Sequence, residues 1–121
     1  MKRAPKFIGP SSAVFIKFLG LVHAAALKGN AHELGSQEIA MLNTLAQGWI
    51  DGVPLSVLGA MRANDTCSGT SSHRLLKLLR KKGYICLAMD ALDNRVKAVL
   101  PTELAMQYFD VMGGCLEKAQ G

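Results

Sequence analysis

Cysteine is scarce in this chain and follows no pairing pattern. The three residues Cys67, Cys86 and Cys115 are odd in number, far apart and in no C-x-x-C pair. Such spacing argues against a disulfide framework or a zinc site and points to a reducing compartment, so a cytoplasmic location is expected. No glycine-rich phosphate loop is present, the histidines (His23, His32, His73) are dispersed, and no carboxylate pair sits in a catalytic motif. An enzyme therefore finds no support, and neither a metal nor a cofactor is expected. Uncharged apolar runs fall short of the roughly 20 residues that a membrane span needs. Aromatic residues make up only 6% of the chain, although 50% of it is hydrophobic. An apolar chain of this kind often hides surface in an oligomer. Repeats, low-complexity tracts and linkers are missing too, so 121 residues read as one domain with a proper core.

What is present is positive charge, and it is concentrated. The chain carries 14 Lys and Arg against 9 Asp and Glu, a net charge of +5. Between Arg62 and Lys97 there are eight basic residues and three acidic ones, so this stretch holds the whole excess and the remainder is neutral. Local charge of this sort attracts phosphate.

The same stretch has the clearest pattern. Ser68, Gly69, Thr70, Ser71 and Ser72 form a helix-start signal, any of the hydroxyls being able to cap the first turn. Leu75, Leu76 and Leu79 then recur at helical spacing as one apolar face, while Arg74, Lys77 and Lys81 share another. Gly83 supplies the stop. Two short runs, 84–89 and 95–100, flank the polar segment Asp90-Ala91-Leu92-Asp93-Asn94 and read as a β-hairpin. A basic helix followed at once by a basic hairpin is the layout of a winged helix-turn-helix, in which the hairpin is the wing.

The remaining elements fit around that unit. Residues 1–30 imitate a secretory signal, with a basic start and an apolar middle, but Lys17 interrupts the run and His23 sits late in it. The expectation is instead a helix over about 11–28, started near Pro10 to Ser12 and stopped by Gly29-Asn30. Phe15, Phe18, Leu19, Leu21 and Val22 make it apolar almost all round, so a second subunit is expected to cover it. Residues 36–48 read as a second helix capped by Ser36, with Ile39, Leu42 and Leu45 inward and Trp49 packed in the core. An Asp51-Gly52 turn follows, then a short supporting helix over 55–61 with Pro54 in its first turn and Leu55, Leu58 and Met61 inward. A last helix over about 101–118 places Tyr108, Met112 and Cys115 on one face, and Gly113-Gly114 within it suggests a kink or a close helix approach. The fold class is thus mainly α with a small β-hairpin wing, the core spanning about 36–100 and the terminal helices forming a dimerisation region.

Some residues also resemble a known family. The run His73–Ile85 (HRLLKLLRKKGYI), the pattern Asp90-x-x-Asp93-x-Arg95 and the VLPT of Val99–Thr102 look like the MarR-type winged helix-turn-helix transcriptional regulators. Asp93-x-Arg95 matches that family's wing motif, and Pro101-Thr102 half matches the "LT" that follows it. The resemblance covers about Ser36 to Met112 and is best in the helix and the wing. Met61–Gly69 departs from it, being a few residues longer than the family's tight turn before the recognition helix.

The resemblance implies a dimeric, sequence-specific binder of double-stranded DNA. Thr70, Ser71, His73 and Arg74 are then placed to reach base edges, arginine pairing bidentately with guanine. Lys77, Lys81 and Lys82 suit phosphates, where position matters and sequence does not. Arg95, steadied by Asp93, is expected on the backbone or in the minor groove, with Lys97 adding a phosphate contact from the same hairpin face. Blander readings stand beside these: Ser71 or Ser72 as a cap, His73 as a solvated residue, Asp93–Arg95 as a weak surface ion pair. A two-fold dimer predicts a roughly palindromic site with half-sites about one turn apart. The family also leaves room for a small-molecule effector, which no residue identifies. The rival functions are a winged-helix protein–protein interaction module, its basic face meeting an acidic partner, and a non-regulatory DNA-binding accessory factor. A thiol sensor at Cys67 or Cys115 is set against the default of inert cysteine.

Overall fold

A computed structural model describes residues 8–28, 34–63, 69–89 and 97–121, excluding the side chains of 27, 28, 69 and 70. Five helices and one hairpin follow in the order α1 (Pro10–Lys28), α2 (Ser36–Ile50), α3 (Val57–Ala63), α4 (Gly69–Lys81), β1 (Ile85–Met89), β2 (Lys97–Pro101) and α5 (Glu103–Gln120). The chain forms two compact units. One holds α1 and the part of α5 from Tyr108 onward, and the other runs from Leu34 to Gln107. Among the described residues no helix is long and apolar enough to cross a membrane.

In the larger unit α2 and α4 pack together and α3 leans on α4. The core is drawn from the apolar stripes of these helices: Met41, Leu42 and Leu45 of α2, and Leu75, Leu76 and Leu79 of α4, all buried. Gly35 rather than Ser36 occupies the cap position of α2; its N–H meets the Glu38 carboxylate at 3.4 Å. The helix also outruns its expected end and includes Trp49 and Ile50. Trp49, half-buried, donates its indole N–H to the Val99 carbonyl at 2.9 Å and so ties the end of α2 to β2.

The supporting helix starts two residues later than expected. Leu55 and Ser56 are used by the sheet instead: Val99 N–H donates to the Leu55 carbonyl at 2.9 Å, and Ser56 bridges antiparallel to Ala98. Ser56 then caps α3, its hydroxyl accepting from Gly59 N–H at 2.9 Å. The later start rotates the helix, so Ala60 is buried and Leu58, expected inward, is 55% exposed.

Helix α4 ends as expected. Gly83 has φ 88°, and the paired bonds from Gly83 N–H to the Arg80 carbonyl and from Tyr84 N–H to the Leu79 carbonyl form a Schellman closure. The hairpin pairs Ile85 with Pro101, Leu87 with Val99 and Met89 with Lys97. Thr102 then accepts from Ala105 N–H and caps α5, while its own hydroxyl donates to the Gly83 carbonyl. Helix α5 continues unbroken through Gly113 and Gly114, where an added Cβ would meet nothing within 4 Å.

In the smaller unit Tyr108 and Cys115 are buried, and the Tyr108 and Phe109 rings meet edge to face at 5.2 Å. Helix α1 exposes Phe15 (58%), Ile16 and Leu19 (47%).

Candidate nucleic-acid interface

Helix α4 contains no acidic residue and divides sharply into two faces. Ser72, Leu75, Leu76 and Leu79 point into the core, and the opposite side carries Arg74, Lys77 and Lys81 at three- and four-residue spacing, all exposed. The core stripe fixes the rotation of the helix, so burial of three leucines is what aims these three cations outward.

The helix begins at Gly69, so Ser71 and Ser72 lie inside its first turn instead of capping it. Ser71 is half-buried, and Ser72 is fully buried, its Oγ lacking a hydrogen-bond partner among the described residues. Thr70 occupies the same turn, but its side chain lies outside the described residues. His73 and Arg74, neighbours in sequence and expected to act together at base edges, open the second turn and face different flanks. Arg74 borders a depression of about 290 Å³ with Gly35, Ser36 and Glu38 at the start of α2. His73 borders a larger groove of about 580 Å³ between α3, α4 and the hairpin, floored by Val57, Leu58, Met61 and Leu87.

Two cations share that groove with His73: Arg80 from α4 and Lys97 from β2. Sequence pattern alone does not single out Arg80. Its spacing of seven from His73 is visible in the sequence, but its neighbours are not, because α3 and the hairpin that complete the groove are distant in the chain. Lys82 moves the other way. Expected on phosphate, it lies just past α4 and forms an ion pair with Glu38 at 2.7 Å, tying the start of α2 to the end of α4. The wing residues Asp93 and Arg95, like Cys67, lie outside the described residues, while Lys97 is exposed at the start of β2.

Among the described residues no group of three His, Cys, Asp or Glu is placed to hold a metal ion. Of the other cysteines, Cys86 is exposed on β1 and Cys115 is buried in α5.

No protein-family model matches the chain, and no curated protein does. Solved structures do. S. aureus MepR bound to ethidium bromide superposes with a TM-score of 0.69 at 17% identity, over 96% of this chain and 81% of that one. The S. aureus MepR–DNA complex gives 0.67 at 18% identity, over 91% and 79%. A transcriptional regulator from Thermotoga maritima gives 0.63 at 14% identity, over 87% and 66%. At these identities the likeness bears on backbone architecture, and the chain shares the winged helix-turn-helix fold of these structures.

Proposed function

We propose that the protein is a dimeric transcriptional regulator of the MarR type that binds double-stranded DNA in the cytoplasm. The observation that carries this reading is the all-basic outer face of α4, beside a hairpin that adds Lys97. Helix α4 enters the major groove, where Arg74, Thr70 and Ser71 meet base edges and Lys77 and Lys81 meet phosphates. The hairpin follows the backbone toward the minor groove, and Arg95 extends that contact. MepR, similar in fold, has been seen with DNA, which supports the reading.

The dimer is supported by α1, whose Phe15, Ile16 and Leu19 remain open to solvent in the single chain. A lone soluble chain gains nothing by exposing such a helix, and a second copy would cover it. Two recognition helices related by a two-fold axis then read half-sites about one helical turn apart. MepR has also been seen with ethidium bromide. An organic cation is accordingly the first small molecule to test for an effect on DNA binding.

The deciding experiment is selection of duplexes from a random pool by the purified protein at two salt concentrations. Enrichment of an inverted repeat, with steep salt dependence, is the expected result. Weak, sequence-blind binding would favour an accessory role. An absence of binding at low salt would exclude DNA as the partner and leave a protein-interaction module, its basic face meeting an acidic partner.

A further inference from the structure

The groove between α3, α4 and the hairpin has a place in the proposed DNA complex, and its role there rests on that reading. If α4 lies in a major groove and the hairpin reaches the adjacent minor groove, the strand that divides those grooves must cross between the two elements. The space it would cross is the groove of about 580 Å³. We propose that this groove seats a stretch of sugar–phosphate backbone, with Arg80 from α4 and Lys97 from β2 acting as a phosphate clamp.

Charge and shape both fit that occupant. Among the described residues His73, Arg80 and Lys97 line the groove and no carboxylate does. All three are exposed and accessible to a strand laid over them. The floor is apolar, made by Val57, Leu58, Met61 and Leu87. A deoxyribose presents carbon to that floor while its phosphates meet the rim. His73 and Arg80 stand seven residues apart on α4, about 10 Å at 1.5 Å per residue. That length takes a short run of one strand. The exposed Leu58 becomes a contact surface. Because the clamp meets backbone, it sets the register of α4 without reading sequence.

The test is a salt titration of duplex binding by wild type, Arg80→Ala and Arg80→Lys, using the enriched duplex and a scrambled one. Each phosphate contact contributes about 0.9 to the slope of log affinity against log salt. Arg80→Ala should lower that slope by about 0.9 on both duplexes, and Arg80→Lys should restore it. Between roughly 50 and 200 mM salt the alanine variant then loses about three- to fourfold less affinity than wild type. A second arm replaces one phosphate at a time between the two grooves by neutral methylphosphonate, and its first reading, on wild type, needs no variant. At one such position wild type should lose affinity, and Arg80→Ala should lose no more there. An unchanged slope for a folded Arg80→Ala, or no sensitive methylphosphonate position, would overturn the clamp while leaving DNA binding intact. Failure of wild type to bind any duplex would instead remove the reading beneath it.

Discussion

Adding one methyl group at Gly48 would set a Cβ 2.7 Å from the Val53 carbonyl oxygen, closer than packed atoms tolerate. Val53 is held there by its own N–H, which donates to the Gly48 carbonyl at 2.9 Å, so the backbone cannot easily retreat. Gly48→Ala should therefore destabilise the fold by about 1–3 kcal/mol even though alanine is the better helix former. Urea denaturation measures this, and an unchanged midpoint would show that the turn after α2 yields. The lysines at the end of α4 provide a second residue-scale test. Lys81 faces outward, whereas Lys82 is held by Glu38 at 2.7 Å. Lys81→Ala should lower the salt slope of DNA binding by about 0.9, and Lys82→Ala should leave it nearly unchanged. The half-exposed pair itself contributes about 1 kcal/mol or less to stability. Equal slopes for the two variants would mean that Lys82 leaves Glu38 when DNA arrives. Helical spacing puts Lys81 on the face of Arg74 and Lys77, but the pairing that withdraws Lys82 is not legible in the sequence, because Glu38 lies 44 positions away.

At the scale of elements, the sequence reveals what is local. Three leucines at helical spacing and a glycine stop define α4, and each of these features acts within one or two turns. The hairpin is legible for the same reason. The start of α3 is not, because Leu55 and Ser56 are claimed by β2 across more than 40 residues of chain. Pairing with Val99 and Ala98 overrides the helix signal of Pro54, and that shift decides which of Leu58 and Ala60 is buried. It also builds the groove in which Arg80 joins His73 and Lys97, so this part of the candidate site depends on tertiary structure. Trp49 makes the same connection from α2. Trp49→Phe removes its bond to the Val99 carbonyl and should cost about 1 kcal/mol. Because the bond anchors the hairpin base, amide hydrogen exchange in β2 should rise more than exchange in α4. A uniform rise across the larger unit would show that Trp49 acts only through general packing.

The whole molecule is organised by a contrast between its two units. The larger one buries the stripes of α2 and α4 and leaves exposed apolar side chains mainly in its turns and at element ends, such as Ile50 and Val53. In the smaller one α1 leaves Phe15, Ile16 and Leu19 open along a single helix. That contrast underlies the dimer proposal and yields its test. Phe15→Lys together with Leu19→Lys adds charge at two exposed positions of α1, so the fold of the single chain should survive, as circular dichroism would show. Sedimentation should find wild type at twice the chain mass and the double variant at once the chain mass. DNA binding should change in parallel. Two linked recognition helices on an inverted repeat gain roughly 10²–10⁴ in affinity over one, provided both half-sites are engaged together. The monomeric variant should lose a factor in that range on the full site but match wild type on a single half-site. A loss on the half-site as well would mean that α1 supports the reading head itself. Wild type at once the chain mass at micromolar concentration would leave the exposed face of α1 to a different partner.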